Sequence, residues 1–187
     1  MNLQIVDHIN AEINGFRLPR YDELPAIDLY IDQVVQIIEN TLKPLSATAD
    51  QVWITNSMIN NYTKQGLIKR PVKKRYDREQ VAYLIYICLT KSVMQIVNIK
   101  ELIRSQRERY SQDVAYNFFC TEFENALQKV FNKKEILNNP VSELTEQIFL
   151  LSATVNTIAQ QIYLNKYLVA TRQENETVTV ATESAQA

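Results

Sequence analysis

Glycine is nearly absent, with Gly15 and Gly66 the only two in 187 residues. The Gly-rich loops that cradle phosphates in P-loop and dinucleotide-binding enzymes therefore cannot be built anywhere in the chain. Cys88 and Cys120 are too few for a disulfide framework or a four-thiolate metal site, and each lies in an apolar run that would bury it. They point to a reduced, cytoplasmic protein. His8 is the single histidine, which excludes a histidine-based triad or a two-histidine metal site. Long apolar runs are missing as well: Gln147 to Asn165, the longest uncharged helical stretch, has eight polar residues among nineteen and makes a poor membrane span. MNLQIVDHINAEI lacks the basic n-region of a signal peptide. No catalytic, cofactor or metal constellation remains, and the chain reads as a non-enzyme.

What is present is a hydrophobic content of 46%, enough for one domain with a core or for a small domain plus an appended bundle. The charge is unevenly placed. Between Lys64 and Arg78 lie seven basic residues and one acid, Asp77, a local net of +6 in a chain of −1. The remainder carries about −7 by the same count.

The pattern predicts a mostly α-helical protein. Residues 1–15 read as a loose lead-in. Pro19 and Pro25 bracket an extended or turning segment, because proline disfavours helix at the residue before it. From Ala26, the residues Ile27, Ile31, Val34, Val35, Ile38 and Leu42 recur at helical steps up to Pro44. Asp28 and Asp32, one turn apart, could chelate a metal or hold an acid/base pair, but acids near a helix N-terminus are favoured by its dipole anyway. A polar loop of about ten residues leads to Thr55, which can cap a short helix from Asn56 to Gln65 that Gly66 ends. LIKRPVKKRY has no helical period and reads as a small hairpin or wing. Asp77 and Gln80 form a capping-box pattern for a helix to about Thr90, apolar nearly all round and expected to be the most buried. Another short helix carries Ile96, Ile99, Leu102 and Ile103.

RSQRERYSQD reads as a boundary near residue 105, with a helical dimerisation or effector region at 106–172 beyond it. Two longer helices follow, about Val114 to Phe131 and Ser142 to Thr171. Tyr110, Tyr116, Phe118, Phe119, Phe123 and Phe131 either wall an effector pocket or form core. Leu144, Ile148, Leu151, Val155, Ile158, Ile162, Asn165 and Val169 alternate steps of four and three, a coiled-coil period suited to a homodimer seam or to folding back on the chain. Residues 173–187 have few large apolar groups and read as a disordered tail.

On the helix from Asn56 to Gln65, Met58, Ile59 and Tyr62 share one side, while Asn56, Asn60, Asn61 and Lys64 mostly share another. Three asparagines weaken so short a helix. Their carboxamides can pair with the N6 and N7 edge of adenine in a major groove. Lys69, Arg70, Lys73, Lys74, Arg75 and Arg78 suit phosphates, which give affinity and register rather than sequence information.

SMINNYTKQGLIKRP and the stretch KKRYDREQVAYLIYICLTKSVMQIVNIKELI resemble the recognition helix, wing and next two helices of MerR-type regulators. Ile59, Tyr62, Lys64, Gly66, Leu67, Ile68, Tyr76, Asp77, Leu84 and Ile99 carry that match. With FRLPRYDELPAIDLYIDQV added, residues 16–105 resemble a bacterial family of uncharacterised proteins, the YkrK-like domain of unknown function. The resemblance implies a MerR-like winged helix-turn-helix over 16–105, while the family itself has no settled activity. With the basic charge and the helix context, the leading reading is a transcriptional regulator that binds double-stranded DNA, with an effector of unknown nature. Asn60 and Asn61 stand where MerR-type helices carry Arg then Tyr. The other reading is a protein-interaction adaptor that keeps the fold and holds an acidic partner with its basic patch.

Overall fold

A computed structural model describes residues 3–132 and 146–184 of the chain. The described residues are mostly helical: seven α-helices and one two-stranded antiparallel sheet. Their order is α1 (Leu3–Asn14), β1 (Leu29–Tyr30), α2 (Ile31–Leu42), α3 (Asn56–Lys64), β2 (Arg75–Tyr76), α4 (Arg78–Thr90), α5 (Ile96–Arg107), α6 (Gln112–Asn132) and α7 (Glu146–Ser184).

α4 is the centre of the core. Its start is fixed by a reciprocal cap, in which Gln80 N–H donates to Asp77 and Asp77 N–H donates to the Gln80 side chain, both at 2.8 Å. Every residue from Gln80 to Thr90 is buried, as the all-round apolar pattern predicts. Such a helix must be covered on all sides, and α2, α6 and α7 all pack against it.

The segment between Pro19 and Pro25 turns, through a short 3-10 helix at Tyr21–Glu23, with Leu24 in it and Leu18 just before it both buried. It is held to α6 by Arg20, whose two terminal nitrogens donate to the two carboxylate oxygens of Glu124 at 2.6 and 2.7 Å, while Leu18 N–H donates to the same carboxylate at 2.8 Å. The hydrogen bond to Glu124 raises the pKa of Arg20 still further above its ordinary value.

Four expectations are corrected. Within the expected loose lead-in of residues 1–15, Leu3–Asn14 form α1, because Ile9 and Ile13 find burial against the core. The first helix of the proposed motif begins at Ile31 and not at Ala26, since Leu29 and Tyr30 instead pair with Tyr76 and Arg75 as a strand. Asp28 is therefore outside the helix that carries Asp32. The boundary near 105 does not separate two cores. α5 runs through Arg107, and Phe119 of α6 meets Tyr86 of α4 edge-on at 4.9 Å within one continuous hydrophobic cluster. Finally, α7 continues to Ser184, through much of the stretch expected to be disordered: the stretch contains no glycine or proline, and extending an existing helix requires no new nucleus.

The heptad-like seam also has a partner within the chain. Val155, Ile158 and Ile162 are buried against the protein's own core, Ile148 and Leu151 are half-buried, and Leu144 lies outside the described residues. Phe118 and Leu151 line one cavity, and Phe131 meets Tyr163 edge-on at 5.3 Å, so α6 and α7 lie side by side in the same direction. Val155, Ile158 and Ile162 are thereby engaged within the chain itself.

Candidate nucleic-acid interface

Thr55 caps α3, its hydroxyl accepting from Met58 N–H at 3.2 Å. The other end closes by the paired bonds of a Schellman motif, Leu67 N–H to Tyr62 C=O at 3.0 Å and Gly66 N–H to Thr63 C=O at 3.1 Å. Gly66 sits at φ +71°, where a side chain is strained, which explains the glycine. Ile59 and Tyr62 anchor the inner face. The polar approach to α3 is firmly held: Glu39 accepts from Trp53 N–H and Ile54 N–H at 2.8 Å each, Trp53 Nε1 donates to Ser46 at 2.8 Å, and Lys91 donates to the Trp53 carbonyl.

The three asparagines differ. Asn56 donates to Asp32 at 2.7 Å, and Asn61 accepts from Gln65 at 3.1 Å. Asn60 is exposed and has no side-chain partner among the described residues.

Beyond Gly66 the chain forms a hairpin. Val72 and Arg75 exchange backbone hydrogen bonds of 3.1 and 2.9 Å across a two-residue tip, Lys73 and Lys74. Both tip residues have positive φ, 49° and 62°, the mirror-image turn that matches the twist of the flanking strands. Asparagine and glycine are the usual occupants of such a turn. Two lysines there strain the backbone and hold two charges in solvent.

The seven basic residues divide by what they touch. Lys69 pairs with Glu79 at 2.6 Å, and this hydrogen bond raises its pKa. Arg75 lies over the Tyr30 ring at 4.7 Å and donates to the Tyr30 hydroxyl at 3.0 Å. Arg78 lies over Tyr21 at 5.6 Å. Lys64, Arg70, Lys73 and Lys74 are exposed and have no partner among the described residues. The sequence reading missed Lys100, on α5, which donates to the Gln65 carbonyl at 2.9 Å and so ties α5 to the end of α3. Helical periodicity places Lys100 on an exposed face and carries no sign of that long-range partner.

A family model described as a domain of unknown function (DUF1836) matches residues 19–125, more than half of the chain. The chain belongs to the DUF1836 family. No curated protein and no solved structure matches it. The DUF1836 match takes in α3, the hairpin and α4, and it includes both Arg20 and Glu124. It also crosses the residue-105 boundary, in keeping with the shared core. Of the six aromatics read as pocket or core, Tyr116, Phe119, Phe123 and Phe131 are buried in the core. Tyr110 and Phe118 line a cavity between α4, α5, α6 and α7. Among the described residues, no helix is long and apolar enough to cross a membrane, and no three His, Cys, Asp or Glu side chains gather as a metal site would need.

Proposed function

We propose that this DUF1836 protein is a DNA-binding transcriptional regulator built on a MerR-like winged helix-turn-helix, with α2 and α3 as the helix pair and the 72–75 hairpin as the wing. The observation that carries the reading is the hairpin tip. Lys73 and Lys74 occupy left-handed positions where Asn-Gly would be less strained, and both point of charge and lack of partner suit a phosphate backbone. Lys64 and Arg70, also unpaired among the described residues, add to that grip. Asn60, exposed on α3, is the side chain best suited to reading a base edge. Two-fold half-sites need two copies. On this reading the homodimer uses the outer face of α7, where Phe149, Leu164 and Leu168 are exposed, rather than the inner seam.

The test is to incubate the full chain with sheared DNA from its own genome at two salt concentrations and to sequence what it retains. A few enriched sites sharing an A·T-containing half-site, persisting at higher salt, are expected. Uniform retention that vanishes with salt would overturn the base-reading role. One observation favours the adaptor as the second reading: Asn56 and Asn61 are engaged inside the protein, which leaves a single free asparagine for base contact. An acidic protein partner then replaces DNA on the same lysines.

A further inference from the structure

A cavity of about 230 Å³ lies where α4, α5, α6 and α7 meet. Packed interiors contain few voids larger than a water molecule. We infer that this cavity is a binding site for a small, uncharged, largely apolar molecule that carries one hydrogen-bonding group.

Size sets the first limit. An apolar cavity of about 150 Å³ holds a benzene ring, so the volume here suits a molecule of about nine or ten non-hydrogen atoms. Charge sets the second. None of the side chains lining the cavity is ionisable near neutral pH, so an ion entering it would lose its hydration without compensation. Most of the wall is hydrocarbon and ring, with Leu102, Phe118 and Leu151 contributed by three different helices. The polar side chains in the lining are few: Ser105 and Gln106 are neighbours on α5, Tyr110 lies just beyond its end, and Tyr86 comes from α4. The Gln106 carboxamide can donate and accept, so a single N–H or O–H on the guest has a partner in the wall. Access is available from solvent, because Tyr110 and Val114 at the rim are 42% and 53% exposed.

This inference does not rest on the DNA reading and is tested without DNA. The full chain, carrying ¹³C-labelled methyl groups, is titrated with indole, which has nine non-hydrogen atoms and one N–H. Benzoate, of the same size but charged, is the control. Saturable shifts confined to the methyls of Leu102, Val114, Ala115, Ile148 and Leu151 are expected with indole, with a Kd of about 1 mM or below, and none of comparable size with benzoate. Val114→Trp changes an exposed rim residue and should abolish the indole shifts while leaving the circular dichroism spectrum unchanged. The inference is overturned if indole gives no saturable shift up to its solubility limit, or if benzoate moves the same methyls equally. Indole shifts that persist in a folded Val114→Trp protein overturn it too. The comparison of indole with benzoate on the unmodified chain stands even if the variant fails to fold.

Discussion

Replacing Lys73 by Asn and Lys74 by Gly should make the protein more stable and a weaker DNA binder at the same time. Both lysines have left-handed backbones, at φ 49° and 62°. That conformation costs an L-residue other than glycine about 1–2 kcal/mol. Glycine at position 74 removes the strain but gives back about 0.5–1 kcal/mol through the greater freedom of the unfolded chain. Asparagine at 73 recovers part of the strain, since it tolerates the left-handed region. Neither lysine side chain is packed, so its removal subtracts no burial. The hairpin is coupled to the rest of the fold through Tyr76, which is buried and paired with Leu29, so relief at the tip should register in global unfolding. The net is a gain of about 1–2 kcal/mol, or about 2–8 °C in Tm for a chain of this size. Calorimetry on both proteins measures it. Fluorescence anisotropy with the retained DNA, across a salt series, measures the other half: loss of two phosphate contacts should flatten the slope of log K against log salt by about 1.8. An unchanged or lowered Tm would refute the strain argument, and a raised Tm with an unchanged salt slope would refute the wing as a phosphate grip.

Asn60→Ala should narrow the difference in affinity between retained and random DNA, whereas Asn56→Ala should chiefly loosen the bond to Asp32; equal loss of affinity on every sequence for Asn60→Ala would contradict base reading. Glu124→Gln leaves the partly buried Arg20 without its carboxylate and should lower unfolding free energy by roughly 2–3 kcal/mol in a urea titration. Ile158→Ala, in the seam buried within the chain, should cost about 2–5 kcal/mol with no change in how Tm depends on protein concentration; a new concentration dependence would return the seam to a dimer. Burial pushes the Tyr86 hydroxyl and the Cys88 and Cys120 thiols up to about 12. The unfolded chain therefore releases these protons first, the stability they contribute is intact below about pH 8, and it is lost progressively as pH rises towards 12. Urea titrations between pH 8 and pH 11 should show that fall, and a flat profile would mean the groups are more open than their burial implies.

Features written in neighbouring residues were legible in the sequence. The Asp77–Gln80 cap, the Gly66 stop and the burial of α4 follow from local rules that act over one or two turns. What sequence reading missed depended on distant partners. α1 forms because α6 offers its isoleucines a surface, and β1 replaces the first turn expected of α2 because Tyr76 and Arg75 offer a strand. The period of α7 correctly identified an apolar stripe but could not say what covers it. Likewise the asparagines of α3 were visible as a group, while Asp32 and Gln65, which engage two of them, were not.

The Arg20–Glu124 link joins residues 104 positions apart and so constrains the order of events while the chain is being made. The segment around Arg20 leaves the ribosome ahead of Glu124 and must wait for its carboxylate. At a synthesis rate of about 5–20 residues per second, that wait is about 5–20 s. During it, Leu18 and Leu24, both buried in the finished protein, have no α6 to lie on. The nascent chain thus presents this apolar segment to the cell well before it can hide it, and a chaperone that holds the residues around Arg20 would act at the one stage when they need it.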